Sequence, residues 1–286
     1  HDLKAFLHSQ FKIKDLGLLN YFLGIEVLYC PTGVLLHQSK FVNDLLLEFH
    51  CDSCSPVVSP LEAHTKMMIN VGDPLPKPED YRSLIGKLNF LTHTRPDLSF
   101  AVQHLSQFMQ NPCVPHMKAA LHLLRYLKGT AGLGLFFNTS PDMSLKVFCD
   151  SDWASCPDTR RSVTGFCVLL GGSLISWKSK KQPVVSLSSA EAEYRSLSKV
   201  VAEITWLVRL FEDFGVHLSL PIPVYCDSQS ALHIAKNPVF HERTKHIELD
   251  CHFVRTKLLD GLITVHYLHT SLQLADLFTK CLVGVA

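Results

Sequence analysis

Leu145-Lys-Val-Phe-Cys-Asp-Ser-Asp-Trp153 is the stretch on which the reading of this chain turns. Lys146 to Cys149 alternates toward an apolar strand, and Asp150 stands where that strand ends. The same arrangement returns at Ile222 to Cys226, followed by Asp227. Hard divalent cations need oxygen ligands, and carboxylates at strand ends supply them. Two further acids sit in helix-like settings: Glu193 in Ser-Ser-Ala-Glu-Ala-Glu-Tyr194, and Asp276 in Gln-Leu-Ala-Asp-Leu-Phe278. If the two strands are parallel neighbours, Asp150 and Asp227 emerge into the crevice where α/β sheets place ligands. Glu193 and Asp276 are then able to face it too. Four acids at close range repel, and divalent metal resolves the repulsion.

Outward from Asp150, the elements form a pattern. Thr164–Leu170 and Leu174–Trp177 read as strands joined by Gly171-Gly172-Ser173, a hairpin turn signal. A long helix is expected from Ser188 to Phe214, with Gly215 as its C′ residue, and a short helix over Ser228–Ala235. A helix over His241–Asp260, a strand over Leu262–Leu268 and a last helix over Leu272–Lys280 complete the second half. Hairpin strands followed by alternating strands and helices imply a mixed α/β sheet covered by helices.

In the first half, Tyr21–Tyr29 and Val34–Gln38 flank Pro31-Thr-Gly33 and read as a hairpin. Ser39 is the expected N-cap of a helix over Lys40–Phe49, and residues 52–79 read as a linker. Helices are expected over Tyr81–His93, Pro96–Met109 and His116–Lys128.

The chain has 286 residues, 47% hydrophobic and 19% charged, with a net charge of +1. That balance argues against wrapping nucleic acid through overall charge. Lys178, Lys180 and Lys181 form a local basic strip, either a nucleic-acid contact or a solvated Lys-rich turn. No apolar run is long enough for a membrane-spanning helix. The opening His1-Asp-Leu-Lys-Ala-Phe6 lacks the layout of a secretory signal. A start without Met is expected of a piece cut from a longer protein. Ten scattered cysteines, several inside apolar runs, suggest a reduced, intracellular chain. Cys51 and Cys54, with His50 and His64, are a weak candidate for zinc, as are His241, His246, Cys251 and His252, whose spacing fits no standard pattern.

Several stretches of the second half resemble the ribonuclease H domain of copia-type long-terminal-repeat retrotransposons. They are Phe148–Ala154, Ser162–Gly165, Ile175–Pro183, Leu187–Tyr194, Tyr225–Ala231, Asn237–His241, Arg243–Ile247 and Gln273–Lys280. The resemblance implies a ribonuclease H-like mixed five-stranded sheet with flanking helices. It also implies hydrolysis of the RNA strand of RNA/DNA hybrids with two magnesium or manganese ions. It carries the catalytic and metal-binding roles to Asp150, Glu193, Asp227 and Asp276. Asp152, two residues along the same strand, is a rival for a place. Glu191 is turned away by a two-residue helical step. His269 lies where the family often carries a mobile His before the last helix.

Residues 12–135 resemble the end of the copia-type reverse transcriptase through Ile13–Val27, Tyr81–Leu88, Thr94–Leu98 and Leu124–Thr130. This implies a partial palm hairpin, then thumb and connection helices, with a division into residues 1–140 and 141–286. Arg95, Lys118, Arg125 and Lys128 are candidates for phosphate contacts, or else part of a solvated helix face. No Tyr-x-Asp-Asp occurs in the chain, so DNA polymerisation is not expected of it. The expected partners are an RNA/DNA hybrid and the rest of the Pol polyprotein, in a cytoplasmic particle or the nucleus. The alternative is a non-catalytic remnant or a hybrid-binding module.

Overall fold

The computed structural model describes residues 2–62, 67–237 and 247–281. The Asn237–His241 and Arg243–Ile247 stretches lie mostly outside the described residues, as do His64, His241 and His246.

The second half is built on a five-stranded sheet of β5 (Leu145–Asp152), β6 (Val163–Leu170), β7 (Ser173–Lys181), β8 (Ile222–Cys226) and β9 (Ile263–Tyr267). Their order is β7-β6-β5-β8-β9. The first three are antiparallel neighbours, whereas β5–β8 and β8–β9 are parallel, with Val147 opposite Val224. Gly171 and Gly172 both have positive φ (54° and 86°), which the tight β6–β7 turn requires. The parallel pairing of β5 with β8 is what brings Asp150 and Asp227 to one end of the sheet.

Helix α6 (Ser189–Asp213) crosses β5 and β6. The Ser188 hydroxyl caps it by accepting from the Glu191 N–H, and Gly215 (φ 71°) ends it. Its buried stripe of Leu197, Val200, Val201, Ile204 and Leu207 follows helical spacing. It packs on Val147, Cys149, Phe166 and Val224 of the sheet. Each fully buried aliphatic side chain contributes roughly 1.5–3 kcal/mol. Helices α7 (Gln229–Lys236) and α8 (Glu248–Leu259) close the same layer. The expected last helix is instead two short 3₁₀ helices, Thr270–Leu272 and Leu274–Phe278.

The first half opens with α1 (Asp2–Phe11), which its sequence does not announce. Strands β2 (Ile25–Cys30) and β3 (Gly33–His37) form the expected hairpin, but its first strand is broken by a turn at Leu23 and Gly24, so that β1 (Tyr21–Phe22) folds back on β2; β4 (Gly134–Asn138) adds to β3. Helix α2 (Ser39–Glu48) starts one residue earlier than expected, because the Ser39 hydroxyl donates to the Ala131 carbonyl rather than capping. Helices α3 (Pro78–Leu91), α4 (Ser99–Leu105) and α5 (Val114–Gly129) share a second core through Tyr81, Leu84, Leu88, Val102, Leu123 and Leu127. Pro96–Leu98 and Ser106–Phe108 are 3₁₀ turns flanking α4, so the expected Pro96–Met109 helix is broken into three.

The two cores meet where α4 and β4 reach β7. Among the described residues no helix is long and apolar enough to cross a membrane.

Candidate active site

Asp150 lies near the end of β5 and is only 2% exposed. Burial is the main cause that lifts its carboxyl to about 6; the Thr279 hydroxyl and Lys280 oppose the rise, and the charges of Asp276 and Asp227 add to it. The Thr279 hydroxyl donates to Asp150 Oδ2, and the Lys280 ammonium stands 3.6 Å from the same oxygen. Glu193, in the second turn of α6, accepts the Ser151 backbone N–H at 3.1 Å. Burial pushes its carboxyl well above the ordinary value, and the neighbouring Cys226, Asp150 and Asp227 push it further.

Asp227 follows β8, and its Oδ2 accepts the Thr270 hydroxyl at 2.8 Å. Asp276 rides on the Leu274–Phe278 turn and accepts Lys280 Nζ at 2.8 Å. Ligand atoms of Glu193, Cys226 and Asp227 lie within 4.8 Å of one another. The acids thus form two pairs, Asp150–Asp276 around Lys280 and Glu193–Asp227 beside Cys226, and the charge of Asp150 links the first pair to the second.

The surrounding polar groups explain how the carboxylates are held. Gln273 donates from Nε2 to the Cys149 carbonyl, anchoring the last turn to β5. The Ser196 hydroxyl lies 2.8 Å from the Asp150 carbonyl oxygen, which fixes α6 to β5. Buried Gln182 joins β5, β6 and α6 through Ser151 Oγ, Thr164 Oγ1 and the Ala192 carbonyl. Gly165 stands opposite Asp150 in the β5–β6 register. A Cβ there would lie 2.6 Å from Thr279 Cγ2 and 3.0 Å from the Ala275 carbonyl oxygen. Only a residue without a side chain lets the turn carrying Asp276 settle on β6.

Asp152 is half-buried, and burial raises its carboxyl, with Lys280 opposing and Asp276 assisting. It therefore senses the same group of charges, and it lines a cavity of about 400 Å³ with His104, Gln107 and Cys156. Glu191 is committed elsewhere: it accepts the Leu187 N–H and is paired with Arg195. His269 is exposed; its ring accepts the Ser271 N–H, next to the Thr270 that holds Asp227.

The basic strip is not a turn. Lys178 and Lys180 are exposed on edge strand β7, while Lys181 reaches back to Gln107. Lys178, Lys180, Arg195 and Lys199 border a cleft of about 480 Å³ beside α6.

Of the first-half cations expected to meet phosphates, Arg95 does not qualify. It is 1% exposed, paired with Asp97 and bonded to Thr130. Arg125 and Lys128 donate to the Ser55 and Cys54 carbonyls and pin that loop to α5, while Lys118 is exposed. Neither zinc candidate gathers three ligands among the described residues. Thr279, Lys280, Gln273 and Gly165 escape a reading of the sequence for carboxylates, although all four lie inside the stretches that carry the resemblance.

Chemically, four carboxylates against one ammonium leave a deficit of positive charge in a partly dehydrated crevice. Such a donor set suits a hard divalent cation.

No protein-family model matches the chain. It is 42% identical over 286 residues to the Retrovirus-related Pol polyprotein from transposon RE2 of Arabidopsis thaliana, covering 100% of this chain and 20% of that protein. A transposon Ty5-1 protein of Saccharomyces cerevisiae is 31% identical over 206 residues, 71% of this chain and 67% of that protein. The chain spans about a fifth of the length of the curated Pol polyproteins it matches. Among solved structures, LC11-RNase H1 isolated from compost overlaps 48% of this chain and 93% of its own, with a TM-score of 0.37 and 12% identity.

Proposed function

The chain belongs to the retrovirus-related Pol polyproteins of copia-type transposons, and on that footing we propose that residues 141–286 form a ribonuclease H that hydrolyses the RNA strand of RNA/DNA hybrids. The observation that carries this reading is the gathering of Glu193 with Asp227, and of Asp150 with Asp276 around Lys280, at the end of the sheet where β5 and β8 finish. We assign these four to two divalent ions, magnesium or manganese, which when bound activate water and stabilise the leaving oxygen of a phosphodiester.

The chain's own groups do the positioning. Thr279 holds Asp150, the Ser151 N–H holds Glu193, and Thr270 holds Asp227. Asp150 and Glu193 sit on a central strand and a long helix, the rigid parts of the fold. Lys178 and Lys180, exposed on the edge strand, are assigned to the hybrid's phosphates.

The first 140 residues are read as the end of a reverse transcriptase. The exposed Leu16, Leu18, Tyr21, Phe22 and Leu23 there suit contact with the rest of the polyprotein. Polymerisation is not proposed for these 286 residues, which hold no Tyr-x-Asp-Asp.

The test is cleavage of an end-labelled hybrid by the purified chain with manganese. Cleavage should leave a 3′-hydroxyl and a 5′-phosphate. Asp150→Asn or Asp227→Asn should lower the rate by about 10²–10⁴-fold, the scale of several kcal/mol of lost charge stabilisation. A hybrid bound but left intact by the unmutated chain would favour the hybrid-binding alternative instead.

A further inference from the structure

We propose that Lys280 is a resident cation of the site that competes with one of its two divalent ions and so makes the two ion positions unequal; this rests on the metal-dependent reading above. The Lys280 ammonium bridges two carboxylates supplied by distant parts of the chain. It lies 2.8 Å from Asp276 Oδ1 and 3.6 Å from Asp150 Oδ2. The four-residue step from Asp276 puts both side chains on one side of the turn. The Lys280 side chain keeps 35% of its exposure, so the ammonium has water beside it as well as the carboxylates.

The other pair of acids is held differently. Glu193 accepts a backbone N–H and Asp227 a hydroxyl, and neither has an ion pair with a Lys or Arg among the described residues. Their oxygens already lie within 4.8 Å of each other, together with Cys226 Sγ. A divalent ion on the Glu193–Asp227 side therefore takes oxygens that no ammonium holds. An ion held by Asp150 and Asp276 would compete with the ammonium that already stands between them, and would bind as that ammonium moves away. A Lys stem has the rotatable bonds to swing out to water. Loading is then ordered, with the Glu193–Asp227 side first and the Asp276 side second and weaker.

The experiment is a manganese titration of the full chain, followed by calorimetry and by the electron paramagnetic resonance of free Mn²⁺. The unmutated chain should bind in two unequal steps. Lys280→Met should tighten the weaker step roughly fivefold, the scale of a partly exposed ion pair, and leave the tighter step unchanged. Lys280→Arg keeps the charge and should restore the unmutated pattern, which a purely structural role would not require. Lys280→Gln is the second neutral variant should Met disturb folding. Manganese should also raise the unfolding temperature more in the neutral variants than in the unmutated chain.

Equal steps in the unmutated chain, or neutral variants whose weaker step does not tighten, overturn the proposal. Absence of manganese binding to every form would instead overturn the metal-dependent reading, and this proposal with it.

Discussion

Asp150 shows how a single residue bears the cost of the site. The unfolded chain releases its proton near the ordinary value of 3.8, and the folded chain near 6. Between those values only the folded state holds the proton, so stability falls as pH rises through this window and stays low above it. The difference is roughly 3 kcal/mol. Asp150→Asn removes the burden. In the presence of a chelator, its unfolding temperature should exceed that of the unmutated chain at pH 7.5, with the gain vanishing toward pH 4. An equal change at both pH values would contradict this account. Asp150 and Asp227 are legible in the sequence because each closes an apolar strand, and Glu193 because a capped helix begins just before it. Thr279, Lys280 and Gln273 are not. A hydroxyl, an ammonium and an amide set among Leu272, Leu274, Leu277 and Phe278 look solvated until β5 comes to lie against them.

At the scale of elements, the Leu274–Phe278 turn depends on the bare backbone of Gly165. A methyl at 165 meets Thr279, Phe278 and the Ala275 carbonyl at 2.6–3.0 Å, two of them backbone or near-backbone atoms. Gly165→Ala should therefore push the turn off β6 and carry Asp276 and Lys280 with it. A displacement near 1 Å should lower hybrid cleavage by about 10²-fold, at an overpacking cost of about 1–3 kcal/mol in denaturant unfolding. The edge strand β7 makes a second prediction. Replacing Lys178 and Lys180 with Ala should weaken hybrid binding and flatten its salt dependence by up to about two in slope, while manganese affinity stays the same. The Lys-rich end of β7 reads as a turn because charge interrupts its alternation. In the fold, those lysines suit an edge, where they discourage pairing with another sheet. One last helix was expected over Leu272–Lys280; two 3₁₀ turns stand there instead, parted at Gln273, whose side chain accepts the Ala275 N–H and starts the second.

At the scale of the molecule, the two halves share contacts that neither would keep alone. Lys181 reaches Gln107, Cys281 donates to the Leu61 carbonyl, the Ile69 N–H meets Asp158, and Asn138 donates to the Ser173 hydroxyl oxygen. Residues 141–286 alone should accordingly unfold at a lower temperature than within the full chain, as calorimetry can check; equal temperatures would mean that the junction adds no stability. These contacts, like the pairing of β4 with β3, join residues far apart in sequence and leave no periodic trace in it. The helices and the central strands do leave one, and so the layers are legible while the junction is not. The bond from Thr279 to Asp150 closes 129 residues of chain. Chains grow at roughly 5–20 residues per second, and long-range closures fold late. Asp150 thus waits on the order of ten seconds after synthesis for the segment that completes its surroundings. Competence follows only once the segment around Thr279 has been made, a delay written into the order in which the acids are strung along the chain.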